Sequence, residues 1–390
     1  MSSRQAGLLA PYAALAFVVG FGWFILAPLV PAIMVQYRVP LSAALLLVSL
    51  FGYTMIIGAL PAGFWSAKKG PHPVLHMAIF LTVLGLLVRV VASTYSEFLV
   101  GQFIAALAYP FLIAPIGSVL RLCGVVRTKM ATGMVIGSLF LGMAVASVIA
   151  PSMALHADLW VSTILAVVVG VWLWVAVGTV PPATLHRMGP VRLVISAWWW
   201  VGFVVASLSV MYGAISSAAL LNLHMPNALA IGGYLSSLTF LGSALGAIFF
   251  GWMGQSRENS IGLQRVLGLL SFVFLLGCAL ELTGTFPPNI SGLDLAFLGF
   301  GLTGNGWYTL ALDAAARQAQ SAGSAGLATA GFSMASNIGV AVVPVVLGPL
   351  VIKAPGLGVV IIAIMAILAV LVPFVMKTEG SGEAPGDVAS

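Results

Sequence analysis

Ionisable side chains are almost missing from this sequence. Only 6% of its 390 residues are Asp, Glu, Lys or Arg, against about a quarter in soluble domains, and the mean hydropathy is +1.14. So few charges cannot clothe a water-exposed surface, which excludes a soluble enzyme. Cysteine is nearly absent too. Cys123 and Cys278 lie in or beside apolar stretches and make neither a metal cluster nor a disulfide framework. The histidines, His72, His76, His156, His186 and His224, are scattered without ligand spacing, so neither a metal nor another cofactor is expected. No cluster of His, Cys and carboxylate groups is available for hydrolytic or redox chemistry, and the chain does not read as an enzyme.

What is abundant is apolar sequence, 61% of the chain. A membrane-crossing helix needs about 20 apolar residues, so the length accommodates about twelve spans and little else. Runs punctuated by Pro, Gly or charge place them near 10-36, 41-66, 74-94, 97-119, 130-151, 160-180, 193-221, 228-253, 263-284, 292-312, 324-350 and 357-376. Arg4 precedes an apolar run from Leu8 to Val35 that is too long for a signal-peptide core and reads as the first span.

The cations orient these spans. With the N-terminus inside, Arg4, Lys68, Lys69, Arg121, Arg127, Lys129, Arg187, Arg192, Arg257, Arg265, Arg317 and Lys377 collect on the cytoplasmic side, while Arg38, Arg89 and Lys353 lie opposite. This positive-inside bias predicts both termini in the cytoplasm of a multi-pass cell-membrane protein. The net charge of +6 is thereby accounted for by topology, and no nucleic-acid partner is expected.

Comparison of the two halves exposes a repeat. Ser49, Leu50, Gly58, Ala59 and Gly63 match Ser237, Leu238, Gly246, Ala247 and Gly251 at an offset of 188, and Lys69 faces Arg257. Ala131, Thr132, Gly142 and Ala144 match Ala328, Thr329, Gly339 and Ala341 at an offset of 197. Both sets place span 2 on span 8 and span 5 on span 11. The expected fold is therefore an all-α integral membrane protein of two parallel six-helix halves around a central cavity. The N-terminal half takes residues 1-180, a cytoplasmic linker 181-192, the C-terminal half 193-376 and a disordered cytoplasmic tail 377-390.

With a basic turn between spans 2 and 3, this arrangement resembles the major facilitator superfamily over the whole chain. That family's motif there reads roughly G-x-x-x-D-R-x-G-R, and this chain has Gly63, Phe64, Trp65, Ser66, Ala67, Lys68, Lys69, Gly70. The glycines and a cation are kept, and Ala67 replaces the acid. Further segments are similar to the feline leukaemia virus subgroup C receptor-like branch. They are Gly101 and Gln102 through Tyr109, Pro110 and Phe111, then Ala131 to Gly133 with Leu141 and Gly142, and Gly299 to Gly304 followed by Asp313, Gly326 and Leu327.

The resemblance implies a cavity lined by spans 1, 4, 7 and 10, with a solute site near the midplane. Those spans offer Trp23; Gln102 and Tyr109; Tyr212; and Asn305, Trp307 and Tyr308, with Asn337 added from span 11. No carboxylate sits at the centre of any of the four, which argues against a strongly charged substrate held by a central ion pair. Aromatic faces attract organic cations, and Trp23 and Tyr212 fall where the receptor-like branch cages choline. That branch's glutamines in spans 5 and 11 are replaced by Phe140 and Ser333, which favours a larger or more apolar solute. Packing is the competing use of both rings. At the cytoplasmic ends, Asp313 is expected either to pair locally with Arg317 or to gate against Lys68, Lys69 or Arg121. Arg89, one turn inside its span, is expected to snorkel outward or to pair with Glu97. Gly- and Ala-rich faces serve close helix contact, and Pro110, Pro115 and Pro344 are expected to kink or loosen their helices.

These features predict a secondary transporter, expected to be a monomer, that moves a small organic solute by alternating access and has the lipid bilayer as its other partner. The solute would be an amphipathic or cationic metabolite. An exporter of lipophilic compounds or drugs and a non-transporting receptor of the same fold are the alternatives.

Overall fold

The computed structural model describes residues 3–113, 115–116, 119–120, 128–179, 195–255, 260–317 and 322–376. The expected linker 181-192, the tail 377-390 and Arg121 lie outside them, as does the side chain of Arg317. Among the described residues there is no strand. The helices are α1 (Ser3–Phe24), α2 (Val30–Tyr37), α3 (Leu41–Lys69), α4 (Pro71–Val91), α5 (Tyr95–Ile113), α6 (Thr128–Ile149), α7 (Leu155–Gly178), α8 (Trp198–Asn222), α9 (Ala228–Gln255), α10 (Ile261–Leu282), α11 (Ile290–Arg317), α12 (Ala322–Lys353) and α13 (Pro355–Val375).

Spans 2 to 12 correspond to α3 to α13. Among the described residues, eleven helices are long and apolar enough to cross a bilayer. The remaining span, α11, is 28 residues long and carries Thr303, Asn305, Trp307 and Tyr308, the polar and aromatic groups expected in the cavity. Around the perimeter, Val168, Val171, Trp172, Val273, Leu295 and Ile364 remain exposed, as side chains that meet lipid do.

The first span departs from the single helix expected over 10-36. The helix stops at Phe24 and resumes at Val30, with i to i+3 turns between: Ala27 N–H donates to Phe24 O at 3.1 Å and Val30 N–H to Ala27 O at 3.3 Å. Pro28 and Pro31 explain the break, because neither has an N–H to donate and each ring crowds the carbonyl four residues before it. By contrast, Pro110 and Pro344 sit inside continuous helices.

The same neighbours recur among the first six and the last six spans. Helix α1 packs on α6 as α8 packs on α12, α3 on α5 as α9 on α11, and α4 on α7 as α10 on α13. Glycines matched by the sequence repeat sit at matched crossings. A Cβ on Gly58 of α3 would strike Pro110 of α5, and one on Gly246 of α9 would strike Leu302 O of α11. Likewise Gly142 of α6 abuts Phe17 O of α1, and Gly339 of α12 abuts Phe203 O of α8. Only a residue without Cβ lets these backbones approach so closely.

Between the two groups, α3 packs on α12 and α6 on α9. We call the end carrying Lys68 and Lys69 the basic end. At the opposite end, Gly233 of α9 lies against Ser147 O and Pro151, and the Ser147 and Ser236 hydroxyls are hydrogen-bonded at 3.0 Å. Midway, the rings of Phe140 and Phe240 stack 6.3 Å apart. Near the basic end, a Cβ on Gly133 would still be 3.9 Å from Ala247 O and Ile248. The α6–α9 crossing therefore tightens away from the basic end.

Candidate functional site

Below the break in the first span, α1, α3 and α5 assemble an aromatic layer. Trp23 is 3% exposed; its indole N–H donates to Val48 O at 2.7 Å, and its face stacks on Phe51 with centroids 4.3 Å apart. Tyr109 leans on the same pair, 5.4 Å from Trp23 and 6.1 Å from Phe51. One helical residue earlier on α3, Leu47 O accepts Gln102 Nε2 at 2.9 Å. The indole and the amide are thus held by successive carbonyls of α3, each an additional acceptor use of an oxygen that has a second lone pair to give.

Arg89 completes this layer, contrary to the expected outward snorkel. Its side chain is 1% exposed, and Nη1 donates to Gly22 O at 2.7 Å and to Gln102 Oε1 at 2.9 Å. Gly22 stands two residues before the end of α1, where the break leaves carbonyl groups short of helical partners and concentrates partial negative charge. The guanidinium therefore caps a broken helix, which is why it turns inward. Phe98 supports it from one side, with the guanidinium carbon 5.7 Å from the ring centroid. Glu97, the expected partner, is exposed and instead accepts the N–H groups of Ser93 at 2.7 Å and Thr94 at 3.1 Å, capping the start of α5.

Among the candidates from the last six spans, some turn into their own packing. Tyr212 is buried, donates its hydroxyl to Leu275 O at 3.1 Å, and has Phe297 and Phe300 as ring neighbours. Its ring is not brought onto Trp23, whose ring neighbours are Phe24, Phe51 and Tyr109. Trp307 is 2% exposed and rests on Gly268 of α10. Asn305 donates to Ser243 Oγ at 2.6 Å, tying α11 to α9. Tyr308 packs edge-on against Phe332 at 4.9 Å. Asn337 donates to Ser333 O at 2.8 Å, and its own carbonyl meets Gly52 of α3, so it belongs to the α3–α12 contact.

At the basic end, Lys68 and Lys69 are exposed in the last turn of α3. Gly70, at φ +79°, turns the chain into α4, a conformation that suits a residue without Cβ. Asp313 is half-buried in α11.

Sequence reasoning missed Phe51 and the direction of Arg89 in the aromatic layer, and one buried acid on α7. Phe51 was one apolar residue among many. Arg89 was visible as the lone cation in its span, but its direction was assigned by distance to the membrane surface. Asp158 lies three residues inside α7, is fully buried, and has no hydrogen-bond partner on either carboxyl oxygen among the described residues.

The comparisons with known proteins agree with this architecture. No curated protein matches the chain. The profile of the Major Facilitator Superfamily matches residues 12–329, which leaves the receptor-like branch unsupported. Members of this family are as a rule secondary transporters rather than enzymes. On a match covering most of its length, this multi-pass membrane chain belongs to the Major Facilitator Superfamily.

Proposed function

We propose that the chain carries a small organic solute across the cell membrane by alternating access, with residues 1-180 and 193-376 rocking about a site at Trp23, Gln102 and Tyr109. The basic end faces the cytoplasm in this reading, because cations concentrate there. The observation that carries it is the graded α6–α9 crossing. Backbone contact at Gly233 and a hydroxyl pair at Ser147 and Ser236 close the two groups at one end, whereas at Gly133 a Cβ would fit at ordinary contact distance, 3.9 Å from Ala247 O and Ile248, so the crossing is looser toward the basic end. Close packing makes such contacts bistable rather than continuously deformable.

The aromatic layer suits an amphipathic body. An aromatic cage for a cationic solute was expected from Trp23 and Tyr212, but Tyr212 has Phe297 and Phe300 as its ring neighbours and not Trp23, so it does not supply the second wall in this conformation.

The test is a reversible lock. Ser147→Cys with Ser236→Cys places two thiols where the hydroxyls are 3.0 Å apart, so oxidation should bridge them. Proteoliposomes would be assayed for uptake of labelled small carboxylates, amino acids and quaternary amines. Oxidation should stop all uptake, and a reductant should restore it. Uptake that continues through the cross-linked protein would reject alternating access at this end.

A further inference from the structure

The guanidinium of Arg89 is fixed along one edge and free along another. Nη1 spends its hydrogens on Gly22 O and Gln102 Oε1, whereas Nε and Nη2 are buried without an acceptor among the described residues. These two nitrogens form the side of the guanidinium whose parallel N–H groups match the two oxygens of a carboxylate. The anchored Nη1 and the supporting ring of Phe98 hold that edge in one orientation. Close approach of α4 and α5 keeps the group there: a Cβ on Gly101 would meet Arg89 N and Cγ.

A cation in this place requires an anion. Unpaired charge buried in a membrane protein costs several kcal/mol, and no carboxylate among the described residues pairs with Arg89. The partial charge at the end of α1 offsets only a fraction of it, on the order of 1 kcal/mol. The neighbours say what else the ligand presents. Gln102, bonded to Arg89, stands seven residues, or about 10 Å of helix, inside the start of α5. The stacked Trp23, Phe51 and Tyr109 rings are tied to the same stretch of α3, since Trp23 donates to Val48 O and Gln102 to Leu47 O, the carbonyl one residue before it.

We infer that the free Nε and Nη2 edge of Arg89 binds the carboxylate of a small organic acid whose apolar body lies on the Trp23, Phe51 and Tyr109 layer. This deepens the transport reading and rests on it for the ligand's being the transported solute; binding itself does not. The edge is sealed in the present conformation, so the ligand gains it when the end away from Lys68 opens. The fixed charge in this layer is the positive one supplied from α4, and it selects an anion.

Thermal unfolding of the purified full chain would be followed with benzoate, pyruvate and lactate, with benzamide as the neutral analogue of benzoate, with choline, and with inorganic phosphate. At least one carboxylate should raise the unfolding temperature in a saturable way, while benzamide and choline should not. Arg89→Lys keeps the charge but lacks the fork, and should weaken carboxylate affinity about tenfold or more. Equal affinity in Arg89→Lys, even at lowered stability, would reduce Arg89 to a cap on α1 and overturn the proposal. A response to phosphate alone, as from a lipid headgroup, would overturn it as well. Should the variant not fold, the wild-type protein still decides, because a benzamide shift equal to that of benzoate is incompatible with a charged fork. Carboxylate binding without uptake into proteoliposomes would sink the transport reading alone, and uptake that ignores Arg89→Lys would sink this one alone.

Discussion

A single methyl group should have opposite effects at two glycines of the same half. At Gly142 an added Cβ would fall on Phe17 O and crowd Phe21 N, so α1 and α6 must separate. Both offending atoms are backbone and cannot rotate away. Overpacking of this kind costs about 1–3 kcal/mol, against which alanine's better helix propensity returns up to about 1 kcal/mol. Because the contacts are with backbone, the upper end of that cost applies, and Gly142→Ala should destabilise by about 2–3 kcal/mol. At Gly63 no atom of the described residues lies within 4 Å of the same position, so only the propensity gain remains, and Gly63→Ala should be neutral or stabilising by up to about 1 kcal/mol. Gly339, whose Cβ would stand 2.8 Å from Phe203 O, should behave like Gly142. Thermal unfolding of the three variants in one detergent reads the sign directly. If Gly142→Ala and Gly63→Ala move the midpoint in the same direction by the same amount, close backbone contact is not what selects glycine at the matched crossings.

Other side chains give sharp expectations. Trp23→Ala should cost about 3–5 kcal/mol of stability because it empties a packed aromatic layer, whereas Trp23→Phe should keep the stack on Phe51 and lose mainly the bond to Val48 O, about 1 kcal/mol; equal losses on thermal unfolding would contradict the layer. Asp158→Asn should leave stability unchanged or raise it, since neither carboxyl oxygen has a bonding partner among the described residues to lose, and a fall of more than about 2 kcal/mol would reveal an ion pair. A cysteine in place of Lys353 should react with an impermeant reagent in intact cells and one in place of Arg187 should not; the reverse pattern would invert the membrane orientation.

The membrane class, the span positions and the repeat were all legible in the chain, because each rests on local or periodic properties. A run of apolar residues must bury its backbone polar groups in a helix whatever surrounds it, and Gly58 with Gly246, or Gly142 with Gly339, reveal a duplicated crossing by spacing alone. Even the break after Phe24 was written in Pro28 and Pro31, although reading the run as one apolar stretch passed over it. Only tertiary structure decided where the polar and aromatic groups point. Trp23 and Tyr212 each lie on a span expected to face the cavity, yet each packs within its own group of helices, because a few tens of degrees of helix rotation separate a cavity face from a buried one. Arg89 shows the same limit from the other side. Its distance from the helix end suggested an outward reach, but the direction was set by Gly22 O and Gln102 Oε1, acceptors brought to it from α1 and α5 by the fold. Sequence fixes which groups are scarce enough to matter; the partners that give them a task come from residues far away in the chain.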